Sequence, residues 1–408
     1  MTAVMEKNLR VSSPDQFLVA DSAAKRKHQK RPVVETVDVV VIGAGVAGSY
    51  LTSLLSGSGM NVVLLERDGD RSCVGNTAVS KRTLRTFPFL SALEKKGESG
   101  LEIVSKKGRV VNVPGTNHGL RVFPRAELES FLLRDAFSKG AMNAEESVVS
   151  VTFKRGSWTV RTQNHILNCR FLVGADGWDS MVRREIVAPF AKEDLLFGAG
   201  YIARTRHDEK VQIRFLPGGE VLKLLEGGQK SSVGVFGHVR DIRKTKNALN
   251  QIVRLSLGAI QPLSPWAVYL PCPSDERHYS LPCSGKNWLL IGEAAGHVNP
   301  LSLEGIHYEL WSAQLASQAL IIGEPRLFDS MWHDEYGREL EAALQIRNRL
   351  TRWESRTEWC FAAANRSRVL KGFLTDLFSE GIDQKKFWSR LCRGVPLSVL
   401  ELAGVRIK

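Results

Sequence analysis

Three glycines in "GAGVAG", Gly43, Gly45 and Gly48, and an acid 23 positions beyond the first, Glu66, have the types and spacing to hold a dinucleotide. In such a turn the glycines let backbone approach a pyrophosphate or let a helix pack closely on a strand. The helix N-terminus then meets the negative charge. A carboxylate placed like Glu66 accepts hydrogen bonds from a ribose. Tight strand–helix packing without a ligand is the other reading of the same glycines. A second stretch, "IGEAAGHVNPLSLEGIHY" (291–308), ends an apolar run at Gly292. It then sets Glu293, an Asn-Pro pair and Gly305 ahead of a helical pattern. Small residues at a strand end say that backbone comes close to something there.

The elements that must position these residues follow from the patterning. "VDVVVIGAGVAGSYLTSLLSGSGMNVVLLERD" (37–68) is a buried strand, a helix and a second buried strand, the βαβ context that the glycine fingerprint requires. "FLVGADGWDSMVRREI" (171–186) is another buried strand, with a helix from near Asp179. "LEIVSKKGRVVNV" reads as two strands about a Lys-Gly turn. "FPRAELESFLLRDAFSKG" reads as a helix with proline in its first turn and Gly140 just past its end. "VVSVTFKRGSWTVRTQNHILNCRFLVGADG" is a β-meander feeding a buried strand. Residues 195–272 alternate in polarity as an antiparallel sheet, and beyond Gly305 the chain is mainly helical. No internal repeat is visible.

With 408 residues, 43% of them hydrophobic and 24% charged, the chain can bury a sizeable core in two lobes. No run of about 18 apolar residues is present to span a membrane, and no signal-peptide plan opens the sequence. The six cysteines, at 73, 169, 272, 283, 360 and 392, show no CxxC pair and no metal-type spacing, so Cys272 and Cys283 read as ordinary thiols. A cytoplasmic chain with reduced thiols and no metal is expected. The net charge of +13 concentrates in "AAKRKHQKRP" (23–32), "IRNRLTRWESRTEW" and "ANRSRVLKG". Such clusters serve a solvated face, an anionic membrane surface or nucleic acid. No nucleic-acid reader motif is visible, so no nucleic-acid partner is expected.

The glycine fingerprint alone leaves NAD and FAD open. Taken together, "GAGVAG", "GADG" and "GEAAGHVNPLSLEGIHYELWSAQLASQAL" resemble, in order and distance, the FAD-dependent oxidoreductases of the p-hydroxybenzoate hydroxylase fold type. With "SCVGNTAVSKRTL" they look most like the geranylgeranyl reductase family, over roughly residues 37–320. The implied fold class is α/β: a Rossmann-like FAD-binding domain, an antiparallel β-sheet substrate domain and a helical C-terminal region. The expected layout is a flexible basic leader (1–36) and first FAD-binding segments (37–194) with substrate-side elements inserted at about 75–120. The substrate sheet (195–284), a last FAD-binding segment (285–328) and C-terminal helices (329–408) complete it.

The resemblance implies FAD as cofactor, with NAD(P)H or a reduced carrier as electron donor. It implies alkene reduction on an isoprenoid or similarly apolar substrate, and peripheral contact with a membrane. It puts Gly43, Gly45 and Gly48 at the pyrophosphate, with Val46, Ala47 and Arg67 beside them, and Glu66 at the adenosine ribose. Arg125 lies along the cofactor, Asp176 shapes its site, and Gly292 and Glu293 meet the ribityl or pyrophosphate portion. Pro300, Leu303, Gly305 and Ile306 lie against the isoalloxazine, and the helix after Gly305 aims its N–H groups at the ring's pyrimidine edge. Cys73 and His297 are the candidate catalytic groups; a packing thiol and a structural histidine are their bland alternatives, and His307 reads like His297. Two residues depart from the family pattern: Glu293 stands for an aspartate and Leu303 for a glycine. The Tyr-x-Trp-x-Phe-Pro segment of many family members is missing, and only Phe215 and Pro217 correspond to it. Two alternatives share the fold: a flavin monooxygenase or halogenase, and a redox-inactive cofactor- or lipid-binding protein. The oligomeric state is not legible.

Overall fold

The computed structural model describes residues 33–67, 75–93, 100–113, 120–205, 210–227, 230–255, 260–352 and 354–379. The expectations for residues 1–32 of the leader, for Cys73 and for residues 380–408 lie outside these; residues 33–36, expected to belong to a flexible leader, are instead the start of a strand paired with residues 165–168. The chain opens with β1 (Val33–Ile42), α1 (Val46–Gly57) and β2 (Val62–Glu66). Val39, Val40 and Val41 are fully buried, which is why the run shows no alternation; burying each such side chain contributes about 1.5–3 kcal/mol. Then come β3 (Asn76–Val79), α2 (Lys81–Thr86), the hairpin β4 (Gly100–Val104) and β5 (Val110–Val113), β6 (Arg121–Pro124) and α3 (Arg125–Ser138). Pro124 caps α3 rather than lying in its first turn.

β7 (Met142–Glu145) precedes the meander of β8 (Val148–Lys154), β9 (Ser157–Thr162) and β10 (His165–Gly174), and α4 (Met181–Ile186) follows. The second lobe comprises β11 (Leu195–Thr205), β12 (Lys210–Phe215), β13 (Val221–Gly227), β14 (Lys230–His238), α5 (Ile242–Leu255) and β15 (Ile260–Pro271). β16 (Trp288–Leu290) leads into α6 (Ile306–Ile322), α7 (Leu327–Trp332), α8 (Arg338–Arg352), α9 (Glu354–Ala364) and α10 (Arg368–Ser379).

Two seven-stranded sheets result. The first runs β7-β2-β1-β10-β9-β8, with β16 also on β10. β7, β2, β1, β10 and β16 are parallel, and their C-terminal ends carry the glycine turns; β9 and β8 add an antiparallel edge. The second runs β15-β11-β14-β13-β12-β4-β5. Its β12–β4 pairing is parallel and recruits the hairpin that precedes it by about a hundred residues, so the sheet is mixed rather than wholly antiparallel. α5 also interrupts the stretch expected to be all strand. Its Thr245, Leu249 and Val253 recur at helical spacing and are buried, while Arg243, Lys244 and Arg254 are exposed. The α1 helix packs against α3 and α6, and Leu315, Ala316, Ala319 and Leu320 of α6 join the core of β1.

Candidate active site

Three adjoining spaces run from the glycine turn of the first lobe to the second sheet and the C-terminal helices. The first is a cleft of about 380 Å³ at the C-terminal ends of β1, β2 and β10, lined by Gly43, Gly45, Glu66, Arg67, Asp176 and Glu293, among others. Val46, Ala47 and Arg125 also face it. The glycine turn is built to be approached. Gly43 has φ +102°, and a Cβ there would stand 2.3 Å from the Ala175 carbonyl oxygen; one on Gly48 would stand 1.8 Å from the Gly43 carbonyl oxygen. Those two glycines serve the packing of α1 on the strands. At Gly45 a Cβ would meet no protein atom within 4 Å, so its small size leaves open space on the cleft side. Ala44 N–H donates to Glu66 Oε2 at 2.6 Å, which fixes that carboxylate at the rim.

Asp176 accepts from Met181 N–H through Oδ2 at 2.7 Å, while its buried Oδ1 has no protein partner. Burial raises its pKa against several local hydrogen bonds that lower it. A buried acceptor facing a cleft fits a ligand that brings its own donors, such as the hydroxyls of a ribityl chain or of its ordered water. Glycine cradle, rim carboxylate, helix N-terminus and orphaned acceptor together suit a dinucleotide, and FAD fits the residues present.

One feature of the cleft departs from that fit. Arg125 Nε donates to Glu129 at 2.9 Å, and its Nη2 lies 3.5 Å from Glu309 Oε1. Burial opposes the charge of Arg125, but Glu309, Glu129 and Glu293 outweigh it and raise its pKa. Three carboxylates thus surround one guanidinium. Burial first, and then mutual repulsion, raises the pKa of Glu293; burial, despite Arg125, raises that of Glu309. Glu309 Oε2 is buried without a partner.

Arg125 and Glu293 also line a second, inner space of about 170 Å³, whose other walls include Gly305, Ile306, Leu303 and Lys223. Leu303 has φ +56°, a left-handed conformation that costs a leucine about 1–2 kcal/mol. The loop holds it there. Leu303 N–H donates to the Asn299 carbonyl at 2.9 Å, Asn299 N–H to the Glu304 carbonyl at 3.0 Å, and Asn299 Oδ1 accepts from Leu301 and Ser302 N–H. The left-handed turn that a glycine would make freely is therefore kept, with a side chain added.

Leu303 also lines the third space, an apolar cavity of about 470 Å³ on its other side. Phe215 stands there with Phe361 and Phe378 at ring-centroid distances of 6.3 and 5.8 Å. α9 and α10, which carry Phe361, Leu374 and Phe378, thus form one wall. Pro300 lines this cavity and not the inner one, so it does not share a wall with Gly305 and Ile306 as expected. Cys272 lies here too, its thiol accepting from Arg347 Nη1 at 2.5 Å.

Gly292 lies behind Glu293, buried, with its N–H on Ser312 Oγ at 3.0 Å, and lines none of the three spaces. His297, the expected proton donor, is fully buried away from all three. Its Nδ1 is 3.0 Å from the Tyr336 hydroxyl and its ring 4.5 Å from that of Trp332. Burial above all, then His278, His333 and Arg183, holds its pKa far down. The ring is therefore neutral at pH 7 and braces the core under α7, which corrects the catalytic expectation. His307 is likewise buried, with Nδ1 3.0 Å from Thr83 Oγ1. Sequence reasoning missed Glu129, Glu309 and Lys223. Charged residues on otherwise apolar faces of α3, α6 and β13 were the available signal.

The family model of the FAD binding domain matches residues 36–212. The chain is 27% identical to a menaquinone reductase of Mycolicibacterium smegmatis, over 77% of this chain and 84% of that protein. It is 27% identical to the geranylgeranyl diphosphate reductase of Rhodobacter capsulatus, over 69% of this chain and 74% of that one. Its fold superposes on a geranylgeranyl bacteriochlorophyll reductase-like protein of Thermoplasma acidophilum with a TM-score of 0.69, at 17% identity, covering 91% of this chain and all of the other.

Proposed function

We propose that this chain, an FAD-dependent oxidoreductase of the geranylgeranyl reductase family, reduces an alkene bond of an isoprenoid or similarly apolar substrate. The observation that carries the reading is continuity: a dinucleotide cleft shares Arg125 and Glu293 with the inner space, which in turn shares Leu303, Phe236 and Phe378 with a large apolar cavity. Bound FAD supplies hydride chemistry when reduced. The glycine turn and the α1 N-terminus would hold its pyrophosphate, Glu66 its adenosine ribose, and the loop 299–305 would face its ring. The apolar cavity would take the substrate's hydrocarbon and exclude water from it.

Substrate of this kind reaches an enzyme from a membrane, and the far sides of the cavity-walling helices suit that contact. Trp359 is 61% exposed on α9, and Arg349, Arg366 and Arg368 are exposed nearby in sequence. Among the described residues no helix is long and apolar enough to cross a membrane. NAD(P)H or a reduced carrier is the proposed electron source.

The test is anaerobic. The FAD-loaded protein is reduced with dithionite and mixed with geranylgeraniol or with a menaquinone, and flavin reoxidation and product mass are followed. Reoxidation with addition of two hydrogens to the prenyl chain is expected. If the flavin stays reduced until oxygen is admitted, and the substrate is then hydroxylated, the monooxygenase reading is favoured; absence of any FAD binding would sink both.

A further inference from the structure

The second sheet carries an unusual row across four strands. Lys223 on β13 is in register with Gly234 on β14, Gly234 with Gly200 on β11, and Gly200 with Trp266 on β15. Residues in register share a face of a sheet, so all four point the same way, toward the inner space. The two central glycines leave a trough, and the indole of Trp266 lies in it. A Cβ at Gly200 or Gly234 would stand 2.4 or 2.3 Å from indole carbons. The tryptophan thereby reaches back along the row toward Lys223.

Both ends of the row are hydrogen-bond donors, and both line the inner space. Trp266 is 9% exposed, and its Nε1–H is buried with no acceptor. Lys223 Nζ donates to the Leu303 carbonyl at 3.2 Å, and among the described residues it makes no ion pair. Its ammonium has three N–H groups, so this bond leaves donor capacity for the cavity. The titratable groups that act on it are Glu304 and the Cys272 thiol, and Arg125 and Glu293 share the cavity wall. Burial lowers its pKa to about 8, against Glu304 and Cys272, which raise it; it remains mostly protonated at pH 7.

We propose that this row is a binding site for a carbonyl oxygen on an otherwise apolar substrate, with Lys223 and the Trp266 indole N–H as its two donors. The inference deepens the proposed function: it selects a carbonyl-bearing prenyl or quinone-like molecule over a plain hydrocarbon chain. A buried donor left unpaired in the complex with a hydrocarbon is what penalises the wrong ligand. Leu303 contributes by presenting its carbonyl to Lys223 through the left-handed turn.

The experiment compares 2-methyl-1,4-naphthoquinone with 2-methylnaphthalene by calorimetry on the FAD-loaded full chain, with no reductant present. The two probes share a ring system and differ in the oxygens. The wild type should favour the quinone at least ten-fold. Lys223→Met and Trp266→Phe should each erase most of that preference while leaving FAD affinity within two-fold, and Lys223→Arg should retain it. The ratio of the two affinities is the readout, because a lysine that merely braces the loop would change both alike. No preference in the wild type, including no binding of either probe, overturns the proposal, as does a preference that survives both variants. Loss of FAD affinity in both variants with an unchanged ratio would assign the donors to the cofactor's own carbonyls, and overturns it too. Should Lys223→Met fail to fold, Trp266→Phe and Lys223→Arg still decide. If the chain takes up no FAD, the proposed function fails, and the ratio measured without FAD still judges the carbonyl site.

Discussion

At the scale of single residues, the cleft that would take a dianionic pyrophosphate is also lined by a guanidinium already shared among three carboxylates. Neither Glu293 nor Glu309 has an ordinary acid's environment, and both have pKa values raised in the folded protein. Additional negative charge from the ligand raises them further, so binding takes up protons. The sign follows: FAD affinity is highest where these acids are protonated and falls as pH rises through their raised pKa values. Between pH 6 and 8.5 the dissociation constant should increase about ten-fold, one pKa unit corresponding to a factor of ten. In Glu309→Gln the amide cannot ionise, so the dependence should flatten and binding at pH 8.5 should tighten about ten-fold. Fluorescence titration with FAD across that range checks it; a Gln variant with the wild-type slope would show that Glu309 does not govern the cleft.

At the scale of elements, α8 is fastened to α2 and α6 through the buried carboxylate of Glu339. Arg82 of α2 makes a two-pronged pair with Glu339 of α8 at 2.6 and 2.8 Å, and Tyr308 of α6 donates to the same carboxylate at 2.6 Å. Glu339 is 6% exposed, so Arg82→Met would leave a buried charge without its guanidinium, at a cost of about 3 kcal/mol. Adding Glu339→Gln should recover more than half of that, since no charge then remains. Urea denaturation midpoints of the wild type and the two variants measure it; equal losses in the single and double variants would mean that the clamp acts through shape alone. Such long-range pairs mark the limit of what was legible. The βαβ unit, the meander and the β4–β5 hairpin were readable because each announces itself over a few adjacent residues. The α5 helix was hidden by abundant lysine and arginine, although Leu249 and Val253 carried its period. Neither the parallel β12–β4 pairing nor the gathering of Glu129, Glu293 and Glu309 on Arg125 has any local signature, because each joins residues far apart in the chain. Leu303 was legible as a departure. Its left-handed backbone is the structural counterpart of the glycine it stands for, and only coordinates could show that the turn had been kept.

At the scale of the whole molecule, the two sheets are threaded through one another. The second sheet borrows β4 and β5 from within the first lobe's sequence, and the first sheet recovers β16 and the cover of α6 only after the entire second sheet. A ribosome delivers these pieces in order. When residue 174 emerges, β1, β2 and β10 are present, but the helix that buries Leu315, Ala316, Ala319 and Leu320 against them is still nearly 150 residues from completion. Non-local closure of this kind is slow and leaves strand edges and apolar faces open while it waits. Nascent chains stalled after residue 285 should therefore be digested by a protease throughout, whereas chains released after residue 379 should protect residues 33–174; early protection of that segment would show that the first lobe closes without its last pieces. Growth of the chain is then a prolonged exposure of half-built hydrophobic surface, the kind of surface that holdase chaperones cover.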